Sequence, residues 1–240
     1  MIKLVCFFRR KRGMSVADFH THWRESHGPL IADTPELAKH LVRYEQNHRL
    51  ISDYERDTNG PAGFDGATVQ WLESMAGFRG FVREPKYAEL IAPDEATFLD
   101  RESITLLFTE EEDVKIQGRR GDADVKLLAL LKRKQGITPA EFHRHWSGAH
   151  ASIFRDTAEI ARHILAYHQN HRLEKDYERD ANGSAGFDGL AEQWYTELSE
   201  FQQMVSEPLY SENVPADEER FIDRPAIEFL ISHPPDVIIG

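Results

Sequence analysis

The chain has 240 residues, with 29 Lys and Arg against 41 Asp and Glu and a formal net charge of −12. That balance excludes nucleic acid as the main partner, because a phosphate-binding surface needs clustered cations. Hydrophobic residues make up 40% and aromatics 10%, enough for packed cores and too much for a disordered chain. The single Cys6 rules out an internal disulfide and a multi-cysteine metal site.

Lys3–Arg9 is an apolar run bounded by charge and reads as a buried strand. It comes before Arg9-Arg10-Lys11-Arg12, whereas a secretory signal carries its charges first. No apolar run approaches the roughly 20 residues of a membrane span. The reading is therefore a cytoplasmic protein with no membrane partner. Gly13 makes a turn, Ser15 is a helix N-cap, and Asp18 follows three residues later. Phe19, Trp23 and His27 then fall on one helical face, and Gly28-Pro29 is expected to break or bend the helix.

The segment 40–50 alternates as a strand, with His40, Tyr44 and His48 on one face and Asn47 on the other. A polar loop covers 51–62, with Asn59-Gly60 as a turn signal. The spacing predicts a strand over 64–71, a helix over 74–91 interrupted at Pro85, and a closing strand over 103–108. Strand, helix, strand, strand, helix, strand is the ferredoxin-like βαββαβ plan. It leaves one apolar sheet face that must be covered.

At an offset of 123 residues the chain repeats itself. His20-Thr21-His22-Trp23 returns as His143-Arg144-His145-Trp146, Asn47-His48-Arg49-Leu50 as Asn170-His171-Arg172-Leu173, and Trp71 as Trp194. Roughly half of the paired positions are identical, far above chance. The chain thus reads as α+β: two ferredoxin-like modules, 1–116 and 125–240, with a polar linker over 117–124. They are expected to pack sheet to sheet as the two halves of a fused dimer. Pairing of whole chains through outer edge strands is left open.

Ten of the twelve histidines form five matched pairs, at 20/143, 22/145, 27/150, 40/163 and 48/171. Imidazole exchanges protons near neutral pH with little adjustment. His27 and His150, on the aromatic helix stripe, are the candidate acid–base residues. Tyr44 and Tyr167 are candidates to donate a hydrogen bond to a substrate oxygen. Trp23, Trp146, Trp71 and Trp194 are expected pocket walls, and His20, His143, His40 and His163 candidate substrate contacts. Asp94 and Asp217 could orient a histidine or cap a helix. No phosphate-cradling glycine loop is present, and no haem or metal signature stands out by spacing. A pocket without cofactor or metal is therefore expected; for a haem, His27 and His163 are the candidate axial ligands.

Phe19-x-x-x-Trp23-x-x-x-His27-Gly28-Pro29-Leu30, then Tyr44-x-Gln46-Asn47-His48, then Phe64-Asp65-Gly66 leading into Gln70-Trp71, and finally Asp94-Glu95-x-x-Phe98-x-Asp100 together resemble the EthD-like family. That family belongs to the dimeric α/β barrel superfamily. The resemblance spans both modules; the second departs from it at His150-Ala151-Ser152. It implies a pocket between sheet and helices in each module and a small hydrophobic, aromatic or polyketide-like ligand. It also implies a role in a catabolic or tailoring pathway. An acid–base reaction (decarboxylation, dehydration or isomerisation) is the expected chemistry. A cofactor-free oxygenase and a non-catalytic ligand-binding accessory protein are the alternatives.

Overall fold

A computed structural model describes residues 1–178, 180 and 186–240. The chain forms two units, Met1–Thr109 with Pro235–Gly240, and Glu110–Pro234. The first half contains β1 (Ile2–Arg10), α1 (Val16–His22), α2 (Gly28–Ala32), α3 (Pro35–Ala38), β2 (Arg43–His48), β3 (Gly66–Leu72), α4 (Met75–Arg83), α5 (Ala92–Phe98) and β4 (Leu99–Thr109). Then come β5 (Asp113–Ile116), β6 (Val125–Leu131), α6 (Pro139–His145), α7 (Ala151–Asp156), α8 (Ala158–Ala161), β7 (Ala166–His171) and α9 (Glu174–Tyr177). The chain ends with β8 (Gly189–Tyr195), α10 (Leu198–Ser206), α11 (Pro208–Phe221), β9 (Glu228–Ser232) and β10 (Asp236–Ile239).

Each unit is one antiparallel five-stranded sheet carrying helices, the α+β plan expected from the sequence. The strand orders are β10-β2-β3-β1-β4 and β5-β7-β8-β6-β9. The fifth strand of each sheet is a departure from the four-stranded expectation, and it moves the expected module boundaries. Asp113–Ile116, placed at the end of the first module by its sequence position, pairs with β7. Its repeat counterpart Asp236–Ile239 pairs with β2. Each copy thus gives its last strand to the other unit's sheet and covers an edge that would otherwise expose unpaired backbone groups. Residues 117–124 are not a bare linker: 120–122 form a 3₁₀ turn and Ala123 is buried.

The helix starts follow their caps. Ser15 accepts the Asp18 amide at 3.0 Å, and Thr138 and Glu141 form a full capping box. At Gly28-Pro29, where a break or bend is expected, the helical run continues. Trp23–His27 forms a wide π-type turn that leads directly into α2, whose second residue is Pro29. Trp146–His150 makes the same turn with no proline, so the proline is not its cause. The loop expected over 51–62 is a 3₁₀ helix from Ile51 to Asn59. The strand expected over 40–50 is shorter, and His40 precedes it.

The wide turn buries both ends of its run, Trp23 and His27. The Trp23 ring lies against Gly66, where a Cβ would overlap it, and Trp146 lies on Gly189 in the same way. These glycines serve close packing of ring on strand. Phe8, Phe19 and Phe98 complete the cluster, with Phe8 edge-on to Trp23 at 4.9 Å between centroids. Burying Phe19 or Phe98 stabilises the unit by about 1.5–3 kcal/mol each.

Candidate active site

A cavity of about 230 Å³ lies in the first unit, walled by β1, β3 and β4 and by the helices. Its lining includes Trp23, His27, Tyr44, Phe78, Phe98 and Leu106, with Cys6, Glu95 and Arg101 among the polar groups. An apolar cavity of about 150 Å³ accommodates a benzene. One or two fused rings therefore fit here.

His27 is held by a residue 67 positions away. Its Nδ1 donates to Asp94 Oδ2 at 2.7 Å, while His22 Nε2 donates to Asp94 Oδ1 at 2.8 Å. Burial works against the Asp94 charge, but the hydrogen bonds and charges of His27 and His22 outweigh it and hold the carboxyl below its ordinary range. The clamp fixes the tautomer: Nε2 carries the lone pair and is the ring nitrogen left for the cavity.

Two donors share that cavity. Tyr44 is fully buried, and its oxygen accepts the Gln46 amide at 3.1 Å, which leaves its own proton to donate. Burial first, against the Gln46 hydrogen bond, drives its pKa upward, so the phenol stays neutral. Trp23 Nε1 lies near Tyr44 but completes no hydrogen bond among the described residues. Its counterpart Trp146 Nε1 does donate to Tyr167, at 3.2 Å. A buried N–H without a partner costs about 1–3 kcal/mol, a cost that a ligand oxygen would remove. Burial pushes the Cys6 thiol up to about 12, so it stays protonated.

The second unit keeps the clamp and loses the space. His150 Nδ1 donates to Asp217 Oδ2 at 2.9 Å and His145 Nε2 to Asp217 Oδ1 at 2.8 Å. The matching cavity is only about 80 Å³, below the room a benzene needs. Phe154 and Phe229 stand where the first unit has Ile31 and Leu106. Tyr195 replaces Leu72 and donates to Gln193 Oε1 at 2.7 Å. Arg224 pairs with Glu218 at 3.0 Å.

The other predicted contacts lie elsewhere. His20 shares a 2.8 Å Nδ1–Nδ1 contact with His48 and reaches Tyr54, whose hydroxyl donates to Asp65 at 2.9 Å. His143, His171, Tyr177 and Asp188 repeat the chain. These histidines tie the first helix of each copy to its second strand and do not line the cavities. Burial first, then His171, Arg133 and Arg172, lowers His143 to about 3 and keeps it neutral. His40 contacts Glu84 at 2.8 Å. His163 contacts Glu200 at 2.6 Å and Glu207 at 3.1 Å. With both ring nitrogens engaged away from the cavity, His163 is not placed to ligate a haem. Trp71 and Trp194 line neither cavity; they lie under Lys3 and Lys126 at 4.7 and 4.9 Å.

Sequence reasoning missed Glu95, Tyr87 and Arg101. The signal for Glu95 was its place beside Asp94 inside the motif; Tyr87 and Arg101 carried none beyond recurring as Tyr210 and Arg224. Among the described residues, no helix is long and apolar enough to cross a membrane.

A dehydratase of conidial pigment biosynthesis from Metarhizium robertsii is 27% identical over 111 residues, which is 42% of this chain and 78% of that protein. An anthrone oxidase-like protein of known structure superposes with a TM-score of 0.69 at 8% identity, covering 98% of this chain and 92% of its own. A chlorite dismutase variant from Candidatus Nitrospira defluvii gives 0.52 at 10% identity, over 97% and 90%. At such identities the two structures speak for the fold alone. The EthD domain model matches residues 11–102 and 134–225, one match per copy of the repeat, each ending just beyond the Asp94 or Asp217 clamp. This chain belongs to the EthD domain family, with two such domains in tandem.

Proposed function

We propose that the first unit is a cofactor-independent acid–base enzyme acting on a small aromatic or polyketide-like ketone. The observation that carries this reading is His27, clamped through Nδ1 by Asp94, with Nε2 left to an aromatic cavity of about 230 Å³. The substrate carbonyl sits against the Tyr44 O–H and Trp23 N–H, two donors that have no other acceptor among the described residues. His27 Nε2 removes a proton from the adjacent carbon. The negative charge moves onto the carbonyl oxygen, where prepositioned donors in a dry site are worth most. Asp94 stays ionised and steadies the imidazolium, as an orienting carboxylate does. Nothing in this transfer calls for a metal or a redox group. The name of the Metarhizium relative, a dehydratase, fits proton-transfer chemistry of this kind.

The test uses α-tetralone, a two-ring ketone with exchangeable protons beside its carbonyl. In deuterium oxide the wild-type protein should catalyse exchange at that carbon, followed by NMR. A folded His27→Asn variant should lose it. Exchange by the variant at the wild-type rate would end the assignment. Tight binding of α-tetralone without exchange by the wild type would favour a ligand-binding accessory protein.

A further inference from the structure

We propose that Glu95 is the catalytic acid of the first-unit cavity, so that the substrate is an aromatic β-hydroxy ketone and the reaction is its dehydration; this rests on His27 being the base. Glu95 lines the same cavity as His27 and Tyr44. It follows Asp94 on α5, and neighbouring helical residues diverge by about 100°. Asp94 therefore meets the histidines while Glu95 meets the cavity. The Tyr87 hydroxyl donates to Glu95 Oε1 at 3.0 Å, which leaves the second oxygen to carry a proton.

Several charges act on that carboxyl. Burial pushes its pKa upward, and the Tyr87 hydrogen bond and the His27 and Arg101 charges offset this only in part; Asp94 adds to the rise. The result is a carboxyl that stays protonated to higher pH than an ordinary glutamate. In the second unit the matching Glu218 is gripped by Arg224 at 3.0 Å. In the first unit Arg101 makes no ion pair with Glu95, and the carboxyl faces the cavity ungripped.

The chemistry gives a reason for having both groups. Proton exchange or double-bond migration can run with one base that takes a proton and returns it. Loss of a hydroxyl group cannot, because hydroxide is a poor leaving group and departs as water only if an acid protonates it. In the step, His27 Nε2 takes the proton from the carbon between the carbonyl and the carbinol. The C–H electron pair becomes the new C=C bond. The C–O bond breaks, and its oxygen leaves with the Glu95 proton as water. One water is lost, and no oxidant or reductant enters. His27 ends as imidazolium and Glu95 as carboxylate, and one proton passed between them through water resets the site.

Two assays separate the two roles. The β-hydroxy derivative of α-tetralone loses water to a product that aromatises to fluorescent α-naphthol, so it reports elimination. Plain α-tetralone in deuterium oxide reports proton removal alone. Glu95→Gln should slow α-naphthol formation by about 100-fold or more and slow tetralone exchange far less. Glu95→Asp, which keeps the acid, should recover part of the elimination. His27→Asn should lose both. Glu95→Gln eliminating at the wild-type rate while His27→Asn fails would overturn the acid role and leave the base intact. An equal loss of exchange and elimination in a folded Glu95→Gln would also overturn it, by showing Glu95 to be structural. A wild type that exchanges tetralone but forms no α-naphthol would refute dehydration alone; a wild type that does neither would refute both readings.

Discussion

The two units carry the same His–Asp–His clamp, built at the same repeat offset with bond lengths that differ by no more than 0.2 Å. Around that clamp they differ in almost everything a ligand would feel. The first unit keeps about 230 Å³, an unpaired Trp23 N–H and an ungripped Glu95. The second has about 80 Å³, a Trp146 N–H spent on Tyr167 and a Glu218 held by Arg224. A clamp that survives in both copies is therefore also a structural element: it ties the wide helical turn to the helix before the fourth strand. What marks a working site is the space and the unspent donors beside it.

The sharpest way to break this contrast is to remove the base from each unit separately. His27→Asn should cut tetralone exchange by about 10²–10⁴-fold, the usual worth of a positioned base, whereas His150→Asn should leave it unchanged. The reverse pattern in NMR exchange rates would put the working site in the second unit. Next in size is an exchange of linings. Ile31→Phe with Leu106→Phe should fill the first cavity and abolish α-naphthol binding in a calorimetric titration. Phe154→Ile with Phe229→Leu should open space in the second, at a cost of about 1–3 kcal/mol in stability. Unaltered binding in the filled variant would place the ligand elsewhere.

A smaller effect separates positioning from structure. Asp94→Asn leaves His27 in place with its tautomer unfixed. It should lower kcat for α-naphthol formation by about 10–100-fold, with KM little changed. Asp217→Asn should leave both constants alone and only lower the melting temperature. Because Asp94 and Asp217 are both held below the ordinary value of 3.8, each contributes stability above that pH. The contribution is lost as pH falls through the depressed native value. Acid titration of the melting temperature should show the loss, and each Asn variant should remove its own share.

The smallest expected effect is a milder acid sensitivity of the second unit. His143 titrates near 3 when folded and at 6.5 otherwise, so the unfolded chain binds the extra proton between those values. Urea-unfolding stability should therefore decline from pH 6.5 downward, and His143→Gln should flatten that slope. A slope that the substitution leaves unaltered would mean that His143 is not a buried neutral imidazole.

Much of this was legible before any coordinates. The repeat was exact enough to be read directly, and with it the two-module α+β plan. The helical stripe of Phe19, Trp23 and His27 pointed to the cavity, because burial on one face follows from spacing alone. Strand alternation placed Tyr44 on one face with His48, without deciding which face meets the cavity. Other features depend on contacts that spacing does not encode. Asp94 lies 67 residues from His27, and nothing local chooses between a capping and a clamping carboxylate. His20 shares the side of His27 on a straight helix, but the wide turn at Trp23 shifts the phase and sends His20 to His48 instead. Tail strands 113–116 and 236–239 fit either sheet by pattern, and only backbone pairing shows that each is given to the other unit. The closure of the second cavity was hinted at where Ala151-Ser152 replaces Gly28-Pro29, yet Phe154, which narrows it, looks like ordinary core.

One measurement bears most directly on the contrast between the units: a crystal structure of the protein grown with α-naphthol. A single ligand per chain is expected, in the cavity of the first unit, with its oxygen on Tyr44 and Trp23 and its ring beside His27. A ligand seated in the second unit, or a first cavity left empty while ligand binds elsewhere, would contradict it.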